Sequence, residues 1–184
     1  MTNEILEFTA IIPLAGILIL ATVYDLRYQK IPNKLTYPSM MMALVYYGTT
    51  RGLDGLMFSA GGLALGIAIL LLPYSMGVMG AGDVKLLGAV GGILGAKGVF
   101  ASFLFTGVVG GLYALILIVF KRGLSKGMIL RSAITVKTLA VTGQFIPIPS
   151  PEEENKPRLC YGVAIALGTM IYVFVETTGG KIPL

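Results

Sequence analysis

The sequence predicts an all-α integral membrane protein with six transmembrane helices and both termini outside the cytoplasm. Of its 184 residues, 55% are hydrophobic and only 12% are charged, whereas soluble domains carry about 25% charged residues. The mean hydropathy is +0.85. Several apolar runs also approach the length of about 20 residues that a helix needs to cross a bilayer. We expect residues 1–184 to form a single membrane domain.

Five apolar runs are predicted as spans in chain order, and the fourth of the six spans needs a separate argument. They are Leu6–Tyr24, the shorter Leu35–Thr50, Leu56–Met76, Gly98–Phe120 and Leu159–Glu176. As one helix, Leu86–Phe120 would be about 50 Å long, too long for a single crossing. We therefore predict a separate span at 84–96 and a turn at Gly95–Gly98, because Lys97 and the paired glycines suit an interface.

The distribution of basic residues predicts the orientation. Six spans place 11 of the 14 lysines and arginines on one side, and the positive-inside rule makes that side cytoplasmic. These residues are Arg27, Lys30, Lys34, Lys85, Lys121, Arg122, Lys126, Arg131, Lys137, Lys156 and Arg158. The net charge of +5 is explained by topology and by contact with the lipid bilayer, so we expect no nucleic-acid partner. Residues 121–158 form the predicted cytoplasmic segment, with an interfacial helix predicted at Leu124–Gly143.

Two aspartates are unusual by position. Asp25 ends the first predicted span and Asp83 opens the fourth, so both lie at the cytoplasmic face although they are far apart in sequence. A carboxylate at the membrane edge usually faces the bundle interior or a water-filled cleft, which makes function the default hypothesis. Gly80 and Gly82 keep side-chain bulk away from Asp83 and permit irregular backbone there.

Structural roles are the alternatives for both aspartates. Asp25 could pair with Arg27 or Lys30 at the interface, and Asp83 could be the N-cap of a helix that begins at Val84. Neither role explains why the two carboxylates share one membrane face.

The available side chains restrict the chemistry. The chain has no histidine, which excludes Ser-His-Asp and Cys-His systems and histidine-based metal sites, and its single cysteine, Cys160, forms neither an internal disulfide nor a thiolate-rich zinc site. We expect no cofactor and no metal. In an aspartic protease, two close carboxyl groups cannot both ionise, so one polarises the scissile carbonyl while the other activates a water.

Three segments carry a family resemblance. "YDLRYQKIPNKLT" with Asp25 and "GAGDVKLLGAVGGILG" with Asp83 resemble the type IV prepilin peptidases, membrane aspartic proteases of the GxGD class. "CYGVAIALG", starting at Cys160, resembles the last-helix segment of that family, where Pro-Tyr-Gly is usual, so Cys160 departs from the pattern. The short chain resembles the compact branch that serves tight-adherence (Flp-type) pili.

The resemblance implies an enzyme of the cytoplasmic membrane. It assigns Asp25 and Asp83 as the catalytic dyad, with Gly80, Gly82 and Lys85 as the supporting loop. The implied substrate is a prepilin with a short basic leader, a glycine before the scissile bond and an apolar helix after it, cleaved on the cytoplasmic side. Larger members carry paired CxxC motifs and an N-methyltransferase activity, and because this sequence has no CxxC the resemblance implies peptidase activity alone.

The segment Ile31-Pro32-Asn33 follows the first span, where proline fixes the exit of the chain and Asn33 is expected to cap the next helix. A plain turn is favoured for these three residues over a direct contact with the substrate. Lys85 is predicted either to act on the dyad or a substrate carboxylate, or to extend toward the interface.

Pairs of glycines at GxxxG spacing predict close helix packing without chemistry. They are Gly62/Gly66, Gly88/Gly92, Gly91/Gly95 and Gly107/Gly111.

Three other classes of protein remain as alternatives. A presenilin-like or signal-peptide-peptidase-like protease would share the Tyr-Asp and GxGD elements but would carry Pro-Ala-Leu before its last span, and that motif does not occur in this sequence. A small transporter or an ion channel would more often place its carboxylates in mid-span. A non-catalytic scaffold of a pilus or secretion assembly would not require both aspartates.

Overall fold

The computed structural model describes residues 2–77, 79–120 and 160–178, without the side chains of residues 2–8, 114 and 117–120. In these residues the chain is helical: α1 is Thr2–Tyr28, α2 is Asn33–Ser75, α3 is Ala81–Phe120 and α4 is Tyr161–Thr177. The predicted segment 121–158, with its interfacial helix Leu124–Gly143, lies outside them. The chain forms two compact units, Met1–Gly111 with Cys160–Leu184 and Leu112–Leu159.

Three helices of the described part are long and apolar enough to cross a membrane, and α4 is a shorter apolar helix. Large hydrophobic side chains such as Leu53, Leu72 and Val108 are exposed on their outer surfaces. A helix that is apolar on all sides is typical of a membrane span. The chain is therefore a membrane protein that is helical throughout its described part, and the number of its spans and their orientation stay predictions.

Two glycines interrupt the long helices. Gly52 in α2 has φ 63° and Gly95 in α3 has φ 72°, a left-handed conformation that favours glycine. The break at Gly95 falls within the predicted turn Gly95–Gly98, and Gly52 lies between the two spans predicted for α2. The helices extend beyond the predicted spans because helical backbone continues past the apolar core; α1, for example, continues to Tyr28.

The break at Gly95 leaves carbonyls of the preceding turn without their regular helical donors. The buried Ser59 hydroxyl donates a hydrogen bond to the carbonyl of Gly92, 2.8 Å away. The Tyr47 hydroxyl donates to the carbonyl of Ile93, also at 2.8 Å. These bonds from α2 satisfy groups that would be costly to leave unpaired in a membrane.

The core of the first unit surrounds the beginning of α3. Leu86, Leu87 and Val90 are fully buried there, together with Leu14 and Leu18 of α1 and Ile165 of α4. This packing brings the C-terminal end of α1 and the N-terminal ends of α3 and α4 together at one end of the bundle.

Glycines allow α2 and α3 to approach closely. A Cβ at Gly62 would collide with the backbone of Gly91 and Gly95, and one at Gly66 with the backbone of Leu87. The prediction of close packing is confirmed for these glycines. For Gly107 and Gly111 it finds no support within residues 2–77, 79–120 and 160–178, where no atom beyond the surrounding helix lies within 4 Å of a Cβ built at either of them.

Candidate active site

Asp25 lies near the end of α1 with its side chain only 6% exposed. Its Oδ2 accepts a hydrogen bond from the backbone N–H of Gly162, 2.8 Å away, and the N–H of Val163 also donates to this carboxyl. Both donors belong to the first turn of α4, where backbone N–H groups have no partner within the helix and carry a partial positive charge. The N-terminus of α4 therefore forms an anion-binding site that is occupied by the Asp25 carboxylate.

The ion-pair alternative for Asp25 is not favoured by this arrangement. Arg27 and Lys30 are exposed, whereas the Asp25 carboxylate is buried against α4.

Asp83 occupies the first turn of α3 and does not precede the helix. The prediction of an N-cap for a helix beginning at Val84 is wrong, because α3 begins at Ala81. Asp83 Oδ2 accepts a hydrogen bond from the N–H of Gly80 at 3.2 Å. This is one of the two hydrogen bonds of a capping box. Asp83 is the third residue of the helix, and its side chain accepts from the backbone N–H of Gly80, the residue before the helix. One Asp83 oxygen thus has a structural partner, at the positive end of the α3 dipole.

The two carboxyl groups lie within electrostatic range of each other. The Cys160 thiol, just before α4, is in range of both, and its Sγ is 3.8 Å from the carbonyl oxygen of Asp25. The fold therefore brings together two carboxylates and two helix N-termini from three separate parts of the chain.

Ile31 packs between the first turns of α3 and α4. The chain leaves α1 through Gln29, whose φ of 50° is left-handed, and buries Ile31 to 8% exposure. A Cβ at Gly82 would lie 3.1 Å from Ile31 Cβ, and one at Gly162 would lie 3.0 Å from Ile31 Cδ1. Ile31 therefore fixes the distance between the first turn of α3, which carries Asp83, and the first turn of α4, whose N–H groups bind Asp25.

Gly82 and Gly80 lie beside different groups. A Cβ at Gly82 would be tightly packed against Ile31, and the left-handed glycine near this loop is Gly77, with φ 71°. A Cβ at Gly80 would meet Asp83 Oδ2 at 3.4 Å, an ordinary contact. The contribution of Gly80 is its N–H, which any residue except proline could supply.

Lys85 connects α3 to the start of α2. Its Nζ donates a hydrogen bond to Asn33 Oδ1 at 2.8 Å and lies 4.7 Å from the centre of the Tyr37 ring. The prediction that Asn33 caps α2 is wrong, because Pro32 occupies the N-cap and the Asn33 side chain binds Lys85 instead.

Sequence reasoning missed Ile31 and Gly162 as site residues. The third motif, "CYGVAIALG", was the available signal for Gly162, and no local pattern marks Ile31. Within residues 2–77, 79–120 and 160–178, no three His, Cys, Asp or Glu side chains group in a way that could hold a metal ion.

Comparison with known proteins identifies the family. Residues 12–115, which include both aspartates, match the type IV leader peptidase family. The chain belongs to this family. No solved structure matches it.

Two curated relatives of the family carry the description prepilin leader peptidase/N-methyltransferase. The protein from Bacillus subtilis (strain 168) is 29% identical over 111 residues, covering 59% of this chain and 44% of the relative. The protein from Vibrio cholerae serotype O1 (strain ATCC 39315 / El Tor Inaba N16961) is 33% identical over 93 residues, covering 47% and 37%. The chain thus spans less than half the length of these leader peptidase relatives.

Proposed function

We propose that this protein is a membrane-embedded aspartic endopeptidase that removes the basic leader from prepilin-like substrates. The proposal is supported most by the approach of the Asp25 and Asp83 carboxyl groups to within electrostatic range, each at a helix N-terminus, in a member of the type IV leader peptidase family. Buried titratable groups with a specific charge partner mark candidate functional sites.

A backbone N–H group binds one oxygen of each carboxyl group. Gly162 holds one oxygen of Asp25 and Gly80 holds one oxygen of Asp83. In the proposed reaction one carboxyl group, protonated, donates a hydrogen bond to the scissile carbonyl. The other, ionised, takes a proton from the attacking water, and the tetrahedral intermediate then collapses as the amine leaves with a proton.

In this proposal Gly80, Gly82 and Lys85 support the reaction without performing it. Gly82 admits Ile31 against the first turn of α3, and Lys85 fixes that turn to α2 through Asn33. The catalytic residues are Asp25 and Asp83.

The proposed substrate has a basic leader, a glycine before the scissile bond and an apolar helix after it. Purified protein in vesicles should cut such a peptide on the carboxyl side of that glycine, as mapped by mass spectrometry. A matched peptide with valine in place of the glycine should be cut far more slowly. Failure to cut the glycine peptide, by protein that unfolds cooperatively on heating, would contradict the proposal.

We propose that the new N-terminus is left unmethylated, although the relatives' descriptions include N-methyltransferase. With S-adenosylmethionine present, the trimmed pilin should keep its unmodified mass. A gain of one methyl group that depends on this protein alone would refute this part of the proposal.

We further propose six spans in the cytoplasmic membrane, with residues 121–158 in the cytoplasm and both termini outside. A probe cysteine at Ser125 or Ser150, in a Cys160→Ser background, should resist an impermeant thiol reagent added to intact cells. Efficient labelling at either position would show that the orientation is the reverse of the proposed one and that the dyad lies at the outer face.

A further inference from the structure

A cavity of about 280 Å³ lies at the other end of the bundle from the aspartates. Its lining comes from α1, both segments of α2, the Gly95 region of α3 and the last turns of α4, all within the first compact unit. From Ile11, which lines the cavity, to Asp25 the path along α1 is about 21 Å. The cavity is therefore separate from the candidate active site.

Charged groups of both signs line this cavity. Arg51 ends the first segment of α2, and Glu176 lies in the last turn of α4. Both side chains are exposed, and no ion pair joins them in the described part of the chain. The cavity thus offers one cationic and one anionic group to a ligand.

Aromatic rings hold the Arg51 guanidinium in position. Its central carbon lies 5.4 Å from the centre of the Tyr47 ring and 5.9 Å from that of Phe58. The Tyr47 ring is itself fixed by the hydrogen bond from its hydroxyl to the carbonyl of Ile93. Cation–π contacts occupy the faces of a guanidinium and leave its N–H edge for a bidentate acceptor such as phosphate.

Glu176 has an unfavourable position unless a cation binds there. The C-terminal end of a helix carries a partial negative charge, so a carboxylate in the last turn of α4 is repelled by the helix dipole. An ammonium group at this point would be attracted by both the carboxylate and the helix end.

We propose that this cavity binds the headgroup of a zwitterionic phospholipid that carries a phosphate and a primary ammonium group. Arg51 binds the phosphate and Glu176 accepts hydrogen bonds from the ammonium. The remaining wall includes Ile11, Leu94 and Val173, which suit the apolar part next to the headgroup. The volume is just below the range of about 300–1,000 Å³ typical of small-ligand sites, so it accommodates a headgroup while the acyl chains stay in the bilayer.

The test compares lipids with identical acyl chains by native mass spectrometry of the detergent-purified full chain. Phosphatidylethanolamine should bind about tenfold more tightly than phosphatidylglycerol, which lacks the ammonium, or phosphatidylcholine, whose ammonium cannot donate hydrogen bonds. Equal binding of the three lipids by the wild-type protein would overturn the proposal.

Two charge-neutral variants separate the two contacts. Arg51→Gln should weaken the binding of phosphatidylethanolamine and of phosphatidylglycerol equally, by about tenfold. Glu176→Gln should abolish the preference for phosphatidylethanolamine over phosphatidylglycerol without weakening the binding of phosphatidylglycerol. Both side chains are exposed, so the variants should fold, and Arg27→Gln, at the other end of α1, is the matched control that should bind like wild type. Unchanged lipid preference in both variants would refute the assignment.

A soluble headgroup distinguishes the source of the ligand. Glycerophosphoethanolamine should displace the lipid only at a large molar excess, because it lacks the apolar contacts. Displacement at equal concentrations would assign the cavity to a soluble phosphate ester and contradict the lipid proposal. The binding measurements do not involve peptide cleavage, so they stand or fall independently of the proposed function.

Discussion

The Asp25 carboxylate accepts a hydrogen bond from the N–H of Gly162 at 2.8 Å, although the two residues are 137 positions apart in the chain. This bond joins the end of α1 to the beginning of α4 and places a buried carboxylate at a helix N-terminus. Because it fixes the orientation of Asp25, the geometry of the proposed dyad depends on it.

Gly162→Ala should reduce prepilin cleavage at least tenfold, on the order expected when a catalytic group is displaced by a fraction of an ångström. The new Cβ would lie 2.9 Å from Asp25 Oδ2 and 3.0 Å from Ile31 Cδ1, so the carboxylate must move. Overpacking of this kind costs about 1–3 kcal/mol, and the melting temperature should fall moderately.

Gly61→Ala is the matched control for this change, since in the described part of the chain no atom beyond the surrounding helix lies within 4 Å of a Cβ at Gly61. It should leave cleavage unchanged. Normal cleavage by Gly162→Ala would show that the contact between α1 and α4 is unimportant for the reaction.

Ile31 should act as a positioning residue. Ile31→Val removes one methyl group and should cost about 0.5–1.5 kcal/mol of stability, whereas Ile31→Ala should cost about 2–5 kcal/mol. We expect kcat to fall more than KM changes, because the loss alters the spacing of the carboxylates and not the binding of substrate. If Ile31→Ala lowers the melting temperature but keeps kcat, the residue contributes only to packing.

The Lys85–Asn33 hydrogen bond should appear as an energetic coupling. In a double-mutant cycle of Lys85→Met and Asn33→Ala, the effects on the free energy of unfolding should be non-additive by about 0.5–1.5 kcal/mol. Lys97→Met, on the far side of the Gly95 break, should be additive with Asn33→Ala. Additivity of Lys85→Met with Asn33→Ala would mean that the bond contributes nothing to stability.

Glycine packing between α2 and α3 predicts a contrast between two identical substitutions. Gly62→Ala places a Cβ against the backbone of Gly91 and Gly95, which cannot rotate away, so it should cost about 1–3 kcal/mol or more. Gly107→Ala meets no described atom beyond its own helix within 4 Å and should be neutral or slightly stabilising. Equal melting temperatures for the two variants would contradict the described packing.

The sequence was sufficient for features that depend on composition and on local backbone. Apolar runs predicted the helices, and paired glycines around Lys97 predicted the break that falls at Gly95. The position of Asp25 and Asp83 at helix ends predicted that they share one membrane face, and in the structure the two carboxyl groups lie within electrostatic range of each other.

Contacts between distant segments could not be read from the sequence. The donor to Asp25 comes from α4, and the acceptor for Lys85 is Asn33, 52 positions away. Asn33 looked like a helix cap because the local pattern favours that role, but tertiary contact with Lys85 overrides it. Ile31 carries no signal of its own, since a single apolar residue beside a proline fits a plain turn equally well.

In the proposed mechanism Asp25 and Asp83 act together as one catalytic unit. Asparagine keeps a side-chain oxygen that can accept the N–H of Gly162 or Gly80, so Asp25→Asn and Asp83→Asn should fold. Each change removes a titrating proton site that the proposed reaction needs.

The most direct test is the rate of prepilin cleavage in vesicles by Asp25→Asn, Asp83→Asn and the double variant, with melting temperatures measured for each. We predict that either single change lowers cleavage by orders of magnitude at a near-normal melting temperature. The double variant should be little worse than either single one, because groups that act as a unit are not additive. Near-normal cleavage by either well-folded single variant would contradict the aspartic-protease mechanism and leave that aspartate with its structural hydrogen bond alone.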